Sequence, residues 1–410
     1  MGLTTEDGRI AAGVALPHFM NANGRTFGEE EEQLVLEALR SGCLSKTGGS
    51  MVKRLEQEFA AMLGLPSAIA CSSGTAAVHL CISALNLEPG DEIIVPPITD
   101  IGTILPILWQ NAVPVFADIE PLTMTLDPND VSRKISRKTR AIIAVHLAGQ
   151  MCGMESLRKL ADEHQLMLIE DCSQAYWAEY KGNLAGTMGD MACFSLQQSK
   201  HITCGEGGLM VTRNSEFART ASLFVDKAWP RNTSTLGSGR FLFLAQNYRM
   251  SELQGAVALA QIRKVKSIVE RRRHSAASLS ALLDDLGEIS APHIPAETKH
   301  SYWLYPLRVA QPKNGAHTQK IGDALVAQGV PAWVRYIVDP LYLSPLFTQP
   351  ATYGTSGYPF HAYGRQCFER GLCPHAEAAL DSVIAIHWNE NFNSDHVREM
   401  AAAIRSAVAQ

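Results

Sequence analysis

The sequence predicts an α/β fold: a large domain on a mostly parallel sheet of seven strands flanked by helices, followed by a smaller α+β domain. Two observations predict it. Between residues 29 and 283, segments with helical periodicity alternate with short β-branched apolar runs, the pattern of strands joined by crossover helices. Past residue 285 the texture changes, with Pro292, Pro295 and Pro312 punctuating shorter runs, as expected where a second unit begins. Residues 1–28 then read as an N-terminal arm, 29–284 as the large domain and 285–410 as the small one.

Segments 29–41 and 51–63 space their apolar residues three and four apart and read as helices. The run 67–71 is the first strand, and it passes through a turn of small residues into a helix over 75–85. Strands follow at 92–95, 113–117 and 141–146, then a helix at 154–164 and a strand at 167–170. The last two strands, 191–195 and 208–212, flank a glycine-bearing turn. Segment 227–240 is polar and aperiodic, a long surface loop of the kind that often carries function. A long amphipathic helix over 250–283, broken or bent once, opens with Ser251 and Gln254 spaced as a capping box. Strand-like runs at 301–309 and 330–336 and helices at 318–328 and 394–408 fill the small domain.

The chain has 410 residues and a formal net charge of -5, which argues against a nucleic-acid scaffold. Its nine cysteines are scattered singly, with no CxxC pair, so neither a disulfide framework nor a metal site is expected. No apolar run reaches the roughly 18 residues of a membrane span, and the N-terminus has no signal-like apolar stretch. A cytoplasmic protein with reduced thiols is the expectation.

Four segments carry chemistry. Lys200 lies in FSLQQSKHITCGEGG, after an apolar strand and before Gly205, Gly207 and Gly208; a lysine amine becomes a nucleophile when burial or nearby cations lower its pKa. In CSSGTAAVHL, residues 71–80, a strand enters Ser-Ser-Gly-Thr and then a helix, where backbone N–H groups and the helix N-terminus cradle an anion. In LMLIEDCSQA, residues 166–175, a strand delivers Glu170 and Asp171 at its C-terminal end, the edge where α/β ligands sit. Alternation puts only one of the two on a given face. The fourth is NYRMSELQGAVALAQ, residues 247–261. Each also has a plain structural reading: Lys200 as a surface lysine, Ser73 or Thr75 as a helix cap, Glu170 as a cap or surface ion pair, Ser251 with Gln254 as a capping box. Together they are the parts of a pyridoxal phosphate site, in which a carboxylate keeps the ring nitrogen protonated so that the ring acts as an electron sink.

On these segments, and on GDEIIVPPITD, PVFADIEPLTMTLDP, AIIAVHLAGQ and the N-terminal run beginning FGEEEEQLVLEALRSG, the chain resembles the DegT/DnrJ/EryC1/StrS aminotransferases over nearly its whole length. These are sugar and aminocyclitol aminotransferases on the fold-type I pyridoxal phosphate scaffold. The resemblance implies that Lys200 forms the Schiff base with pyridoxal 5'-phosphate and later shuttles a proton. It implies that Asp171 binds the pyridine nitrogen, that Gln174 binds the phenolic oxygen, and that Gly74, Thr75 and Ser195 hold the phosphate. Asn247 would reach that phosphate across a homodimer. The implied reaction takes an amino group from glutamate or glutamine, leaving pyridoxamine 5'-phosphate, and passes it to a keto-sugar nucleotide or ketocyclitol.

Two departures stand out. VPPITD places Asp100 where the family has an aromatic residue over the cofactor ring, and QAYWA places Tyr176 and Trp177 where the family has histidine and glycine. A carboxylate cannot supply the stacking area of an aromatic side chain, and Tyr176 or Trp177 is a candidate to compensate. Lys227, Arg231 and Arg240 are candidates for a substrate diphosphate; Arg249 and Arg335 are candidates for the donor carboxylate. A 3-dehydrase branch of the family has histidine at the lysine position; here Lys200 holds it and His201 follows, which favours amino transfer. A pyridoxal-phosphate-dependent dehydratase or lyase, or a non-catalytic binding homologue, are the alternatives.

Overall fold

A computed structural model describes residues 15–231, 241–312, 315–364 and 366–409. Helices α1 (Glu29–Arg40) and α2 (Met51–Met62) come first, with Leu34 and Ala38, and Leu55 and Phe59, on their buried faces. The chain then alternates as β1 (Ser67–Cys71), α3 (Gly74–Ser83), β2 (Glu92–Val95), α4 (Leu105–Trp109), β3 (Val113–Phe116), α5 (Pro128–Lys134), β4 (Thr139–Val145), α6 (Met154–His164) and β5 (Met167–Asp171). A small hairpin, β6 (Glu179–Tyr180) and β7 (Asn183–Leu184), precedes β8 (Met191–Ser195), β9 (Gly208–Thr212), α7 (Ser215–Phe224) and α8 (Glu252–Leu283).

Seven of these strands form one sheet in the order β1-β9-β8-β5-β4-β2-β3. Every residue of β2, β3, β8 and β9 is buried, which explains their continuous apolar runs: helices cover both faces. Only β9 runs against its neighbours, with Ser195 and Cys71 both opposite Gly208. The short return through Gly205, at φ +85°, turns the chain back instead of crossing over. Consequently β1, β2, β4, β5 and β8 point the same way, and the segments that follow them share one edge of the sheet.

The expected break in the long helix is absent. α8 runs unbroken for 32 residues, and the drift in its apolar stripe has another cause. Its first half packs on α1 and α2, where Gly255 lets the backbone of Val52 come close. Its last turns place Ala276, Leu279 and Leu283 in a separate cluster with the C-terminal helix Ser394–Val408.

After α8 come β10 (Ile289–Ser290), β11 (Thr298–Lys299), β12 (Leu304–Val309), α9 (Ala316–Ala327), β13 (Ala332–Val334) and β14 (Val383–His387). Four of them make an antiparallel sheet, β10-β12-β14-β13, while β11 pairs with β6. The run expected to be strand from residue 301 becomes one only at Leu304. Tyr302 takes φ 53°, and Ser301 and Trp303 instead donate their N–H groups to Gly149 and Ala148. No helix among the described residues is long and apolar enough to cross a membrane. Of the expected loop 227–240, residues 232–240, and with them Arg240, lie outside the described residues, as do residues 1–14 of the arm.

Candidate active site

The segments that follow β1, β2, β5 and β8 meet at the shared edge. After β1, Ser73 caps α3 by accepting the Ala76 N–H at 3.1 Å, which leaves the Gly74 and Thr75 N–H groups without helical partners. A side chain on Gly74 would collide with Ser195, 2.7 Å from its Cβ, and one on Gly208 would come within 2.1 Å of the Ser73 oxygen. Both glycines therefore let three backbone segments close around the start of α3. Ser195 Oγ, at the end of β8, accepts the Gln197 N–H at 3.3 Å.

Asp171 ends β5. It accepts the Thr103 hydroxyl at 2.8 Å and the Ser173 N–H at 3.1 Å, so the loop after β2 and the turn after β5 both orient it. Asp100 begins that β2 loop, where it accepts the Gly102 N–H at 2.7 Å. Gln174 accepts the Ala148 N–H and donates to the Tyr336 hydroxyl, both at 2.8 Å.

Lys200 is buried. Burial lowers its pKa from 10.5 to about 8, against the opposing charges of Asp100 and Asp171. Among the described residues its amine has no hydrogen-bond partner; it lies 4.0 Å above the ring of Trp303. The backbone around it is held from outside: Arg25 donates to the Lys200 carbonyl at 2.9 Å and Trp303 to the Ser199 carbonyl at 2.8 Å. Burial lowers the Arg25 pKa to about 10, a sign of how dry this support is.

Glu170 is not the cap or surface ion pair expected of it. Facing away from Asp171, it is fully buried and accepts N–H groups from Gly186, Met188 and Gly189 and a hydrogen bond from His146 Nε2 at 2.9 Å. Because His146 Nδ1 accepts the Cys152 N–H at 3.2 Å, the proton belongs on Nε2. Although His146, Glu170 and Cys172 lie within 4.8 Å of one another, these bonds occupy the lone pairs a metal would need.

Tyr176 is likewise core and not a wall of the site. Its ring packs on Phe194 and Phe59, at 5.1 and 6.3 Å, in the layer behind the sheet that holds Leu55 and Leu259. Arg231 and Arg249 both pair with Asp226, and Arg231 also stacks 4.1 Å over Trp229. Lys227 lies 5.5 Å over the same ring, and the Asn247 backbone bridges to Asp226. Arg335 is tied to Asp381 at 2.6 Å and to the Val338 carbonyl at 2.8 Å. Thus the structure gathers Gly74, Thr75, Asp100, Asp171, Ser195 and Lys200, and gathers Lys227, Arg231, Asn247 and Arg249 around Asp226.

This geometry agrees with the kinship of the chain. Residues 25–405 match the model of the DegT/DnrJ/EryC1/StrS aminotransferase family. The chain belongs to that family. Members of this pyridoxal-phosphate-dependent aminotransferase family at similar distance include the GDP-perosamine synthase of Caulobacter vibrioides, 33% identical over 82% of this chain and 89% of that protein. The L-glutamine:2-deoxy-scyllo-inosose aminotransferase of Streptomyces kanamyceticus is 35% identical over 75% of each chain. Among solved structures, 3-amino-5-hydroxybenzoic acid synthase superposes with a TM-score of 0.84 at 26% identity, covering 96% of this chain and 99% of that one. The S. venezuelae protein DesV, solved in complex with a ketimine intermediate, superposes with a TM-score of 0.81 at 27% identity over 93% of this chain and 95% of that one.

The residues present fit the family cofactor: a lysine amine with a lowered pKa, an oriented carboxylate, and a glycine-lined helix start that a Cβ would fill. Sequence reasoning missed Arg25, Thr103, Trp303 and Tyr336. Thr103 and Arg25 carry no spacing signal, while Trp303 and Tyr336 sit in runs that read simply as strands.

Proposed function

We propose that this aminotransferase moves an amino group from glutamate or glutamine to a keto group of a nucleotide-linked sugar or a ketocyclitol. The observation that carries this reading is the buried Lys200 amine, placed on the sheet edge that also holds Asp171 and the start of α3. The relatives named for GDP-perosamine and for 2-deoxy-scyllo-inosose support the two acceptor classes.

When bound, pyridoxal 5'-phosphate supplies an electron sink for the carbon that loses or gains a proton. Gly74 and Thr75 offer N–H groups, and Ser195 a hydroxyl, to its phosphate. Asp171, steadied by Thr103, would hold the ring nitrogen protonated. Gln174, fixed by Ala148 and Tyr336, keeps one N–H for the phenolic oxygen. Lys200 would be the residue that attaches the cofactor and then the base that carries a proton; a pKa of about 8 leaves its amine competent in both directions near neutral pH. Asn247 would complete the phosphate site from the partner subunit of a homodimer. Asp226, by holding Arg231 and Arg249 together, presents two guanidinium groups against one carboxylate, an excess of positive charge suited to an anionic substrate group.

The test is direct. Purified protein given pyridoxal phosphate should turn yellow, and borohydride should fix the cofactor to Lys200, as read by peptide mass. Amino transfer is then screened with glutamate and glutamine against keto-sugar nucleotides and scyllo-inosose. A chain that stays colourless, or that takes up cofactor elsewhere than at Lys200, overturns the reading.

A further inference from the structure

We propose that Trp303 is a positioning residue for Lys200: its indole face is the aromatic cover of the amine, supplied from the C-terminal part of the chain where residue 100 supplies only a carboxylate. The proposal rests on Lys200 being the reactive amine.

Three contacts fix the indole. Its Nε1–H donates to the Ser199 carbonyl at 2.8 Å, the residue just before Lys200. Its backbone N–H donates to Ala148 at 2.9 Å, and its ring meets Tyr336 edge-on at 6.1 Å. The left-handed Tyr302, at φ 53°, turns the chain so that position 303 faces the site before β12 begins. A side chain on Gly149 would collide with the Tyr302 nitrogen, 2.6 Å away, so the close passage of these two segments is built in. His201 adds a further tie, its Nε2 lying 3.0 Å from the Ser301 carbonyl. The lysine loop and the segment before β12 are thus joined on both sides of Lys200.

The face of this ring, 4.0 Å from Nζ, has two opposed effects. It attracts an ammonium ion through its quadrupole, and it excludes water from that side. Burial as a whole is the largest influence on this amine and outweighs Asp100 and Asp171 combined; with the indole face forming the wall 4.0 Å from Nζ, we take exclusion as the stronger effect. Removing the ring while leaving the fold therefore hydrates the ammonium and makes the amine less reactive at neutral pH. The charged and titratable groups facing the amine are Asp100 from the β2 loop and Asp171 from β5, with His201 and Arg25 on the backbone behind it.

The experiment follows trinitrophenylation of Lys200 in the full, cofactor-free chain from about pH 6 to about pH 10, peptide by peptide by mass spectrometry. For the wild type, the inflection is expected near 8. Trp303→Leu and Trp303→Met should move it upward by about one unit, while Trp303→Phe, which keeps a ring face and loses the bond to Ser199, should leave it in place. If Trp303→Leu does not fold, Trp303→Met carries the test. An inflection unmoved in both Leu and Met variants, moved downward, or moved equally in the Phe variant overturns the proposal while leaving Lys200 as the reactive amine. A wild-type Lys200 no more reactive at neutral pH than the other lysines overturns the site itself.

Discussion

Thr103 donates its hydroxyl hydrogen to Oδ2 of Asp171 at 2.8 Å, joining the loop after β2 to the end of β5. A hydroxyl has one hydrogen to give, so Thr99, 2.8 Å from Thr103 Oγ1, must be the donor in that second contact. The two threonines form a one-way relay that ends on the carboxylate. Thr103→Val keeps the shape and deletes the donor. Hydrogen bonds to charged groups contribute about 1.5–3 kcal/mol, so cofactor affinity should fall roughly tenfold or more, read by absorbance titration of the cofactor-free protein. An unchanged dissociation constant would show that Asp171 is held well enough without the relay.

The lysine at the centre of the site should be a burden to the empty fold. Its folded pKa of about 8 lies below the ordinary 10.5. Below pH 8 both folded and unfolded chains carry the proton, and only the folded one bears the desolvation. That penalty is fully present at pH 7 and vanishes as pH rises past 10.5. From the size of the shift, Lys200→Met should stabilise the cofactor-free protein by about 3 kcal/mol at pH 7. Denaturant unfolding of the two proteins at pH 7 and again near pH 10 checks it: the gain should shrink at the higher pH.

Lys200, Asp171 and Gly74 were legible in the sequence because each lies within five residues of a strand end and beside small residues, so local pattern sufficed. Trp303 and Tyr336 were not, since they arrive from beyond the long helix and their runs show only strand-like periodicity. The reversal of β9 was equally hidden, because alternation reports burial and not direction. Glu170 shows the limit most clearly. Strand alternation correctly separated it from Asp171, but nothing local revealed that the turn at 186–189 folds three N–H groups onto it.

That turn makes Glu170 a structural carboxylate, and its replacement should be severe. Gln at this position would oppose one N–H donor with another and leave His146 facing a neutral amide. Breaking a buried ionic or charge-assisted set typically costs about 3–5 kcal/mol. Glu170→Gln should therefore lower the unfolding midpoint sharply, whereas Asp171→Asn should leave stability nearly intact and abolish amino transfer. Comparing unfolding curves with activity for the two neighbouring variants separates the two roles.

Acid should unfold this protein through its buried histidines. Burial lowers His79 to about 4, and His300 and His387 to about 3, from an ordinary 6.5. Above pH 6.5 all three are neutral in both states and the stability is whole. Below it the unfolded chain takes up protons that the folded chain refuses, so stability is lost as pH falls toward 3. These three alone bring the slope to about 4 kcal/mol per pH unit, and His201, which burial also holds well below 6.5, steepens it further. Unfolding free energies measured between pH 7 and pH 5 should show this steepening, and His300→Gln should take up to about 1.4 kcal/mol per pH unit off the slope.

Gly208 offers the sharpest test of how the start of α3 is assembled. An added Cβ there would lie 2.1 Å from the Ser73 oxygen and 3.0 Å from the Gly74 nitrogen, both backbone atoms that cannot swing away. Gly208→Ala must therefore push β9 or the Ser73 turn aside, spoiling the N–H groups offered to a phosphate. Gly205 is the control. It has open space around the missing Cβ but a φ of +85°, so Gly205→Ala costs about 1–2 kcal/mol of backbone strain without touching α3. The expected result is that both variants lose stability, while only Gly208→Ala loses affinity for pyridoxal phosphate by more than about tenfold. Equal losses of affinity would mean that the β8–β9 return acts as one unit and that the close approach at Ser73 has no separate part in holding the phosphate.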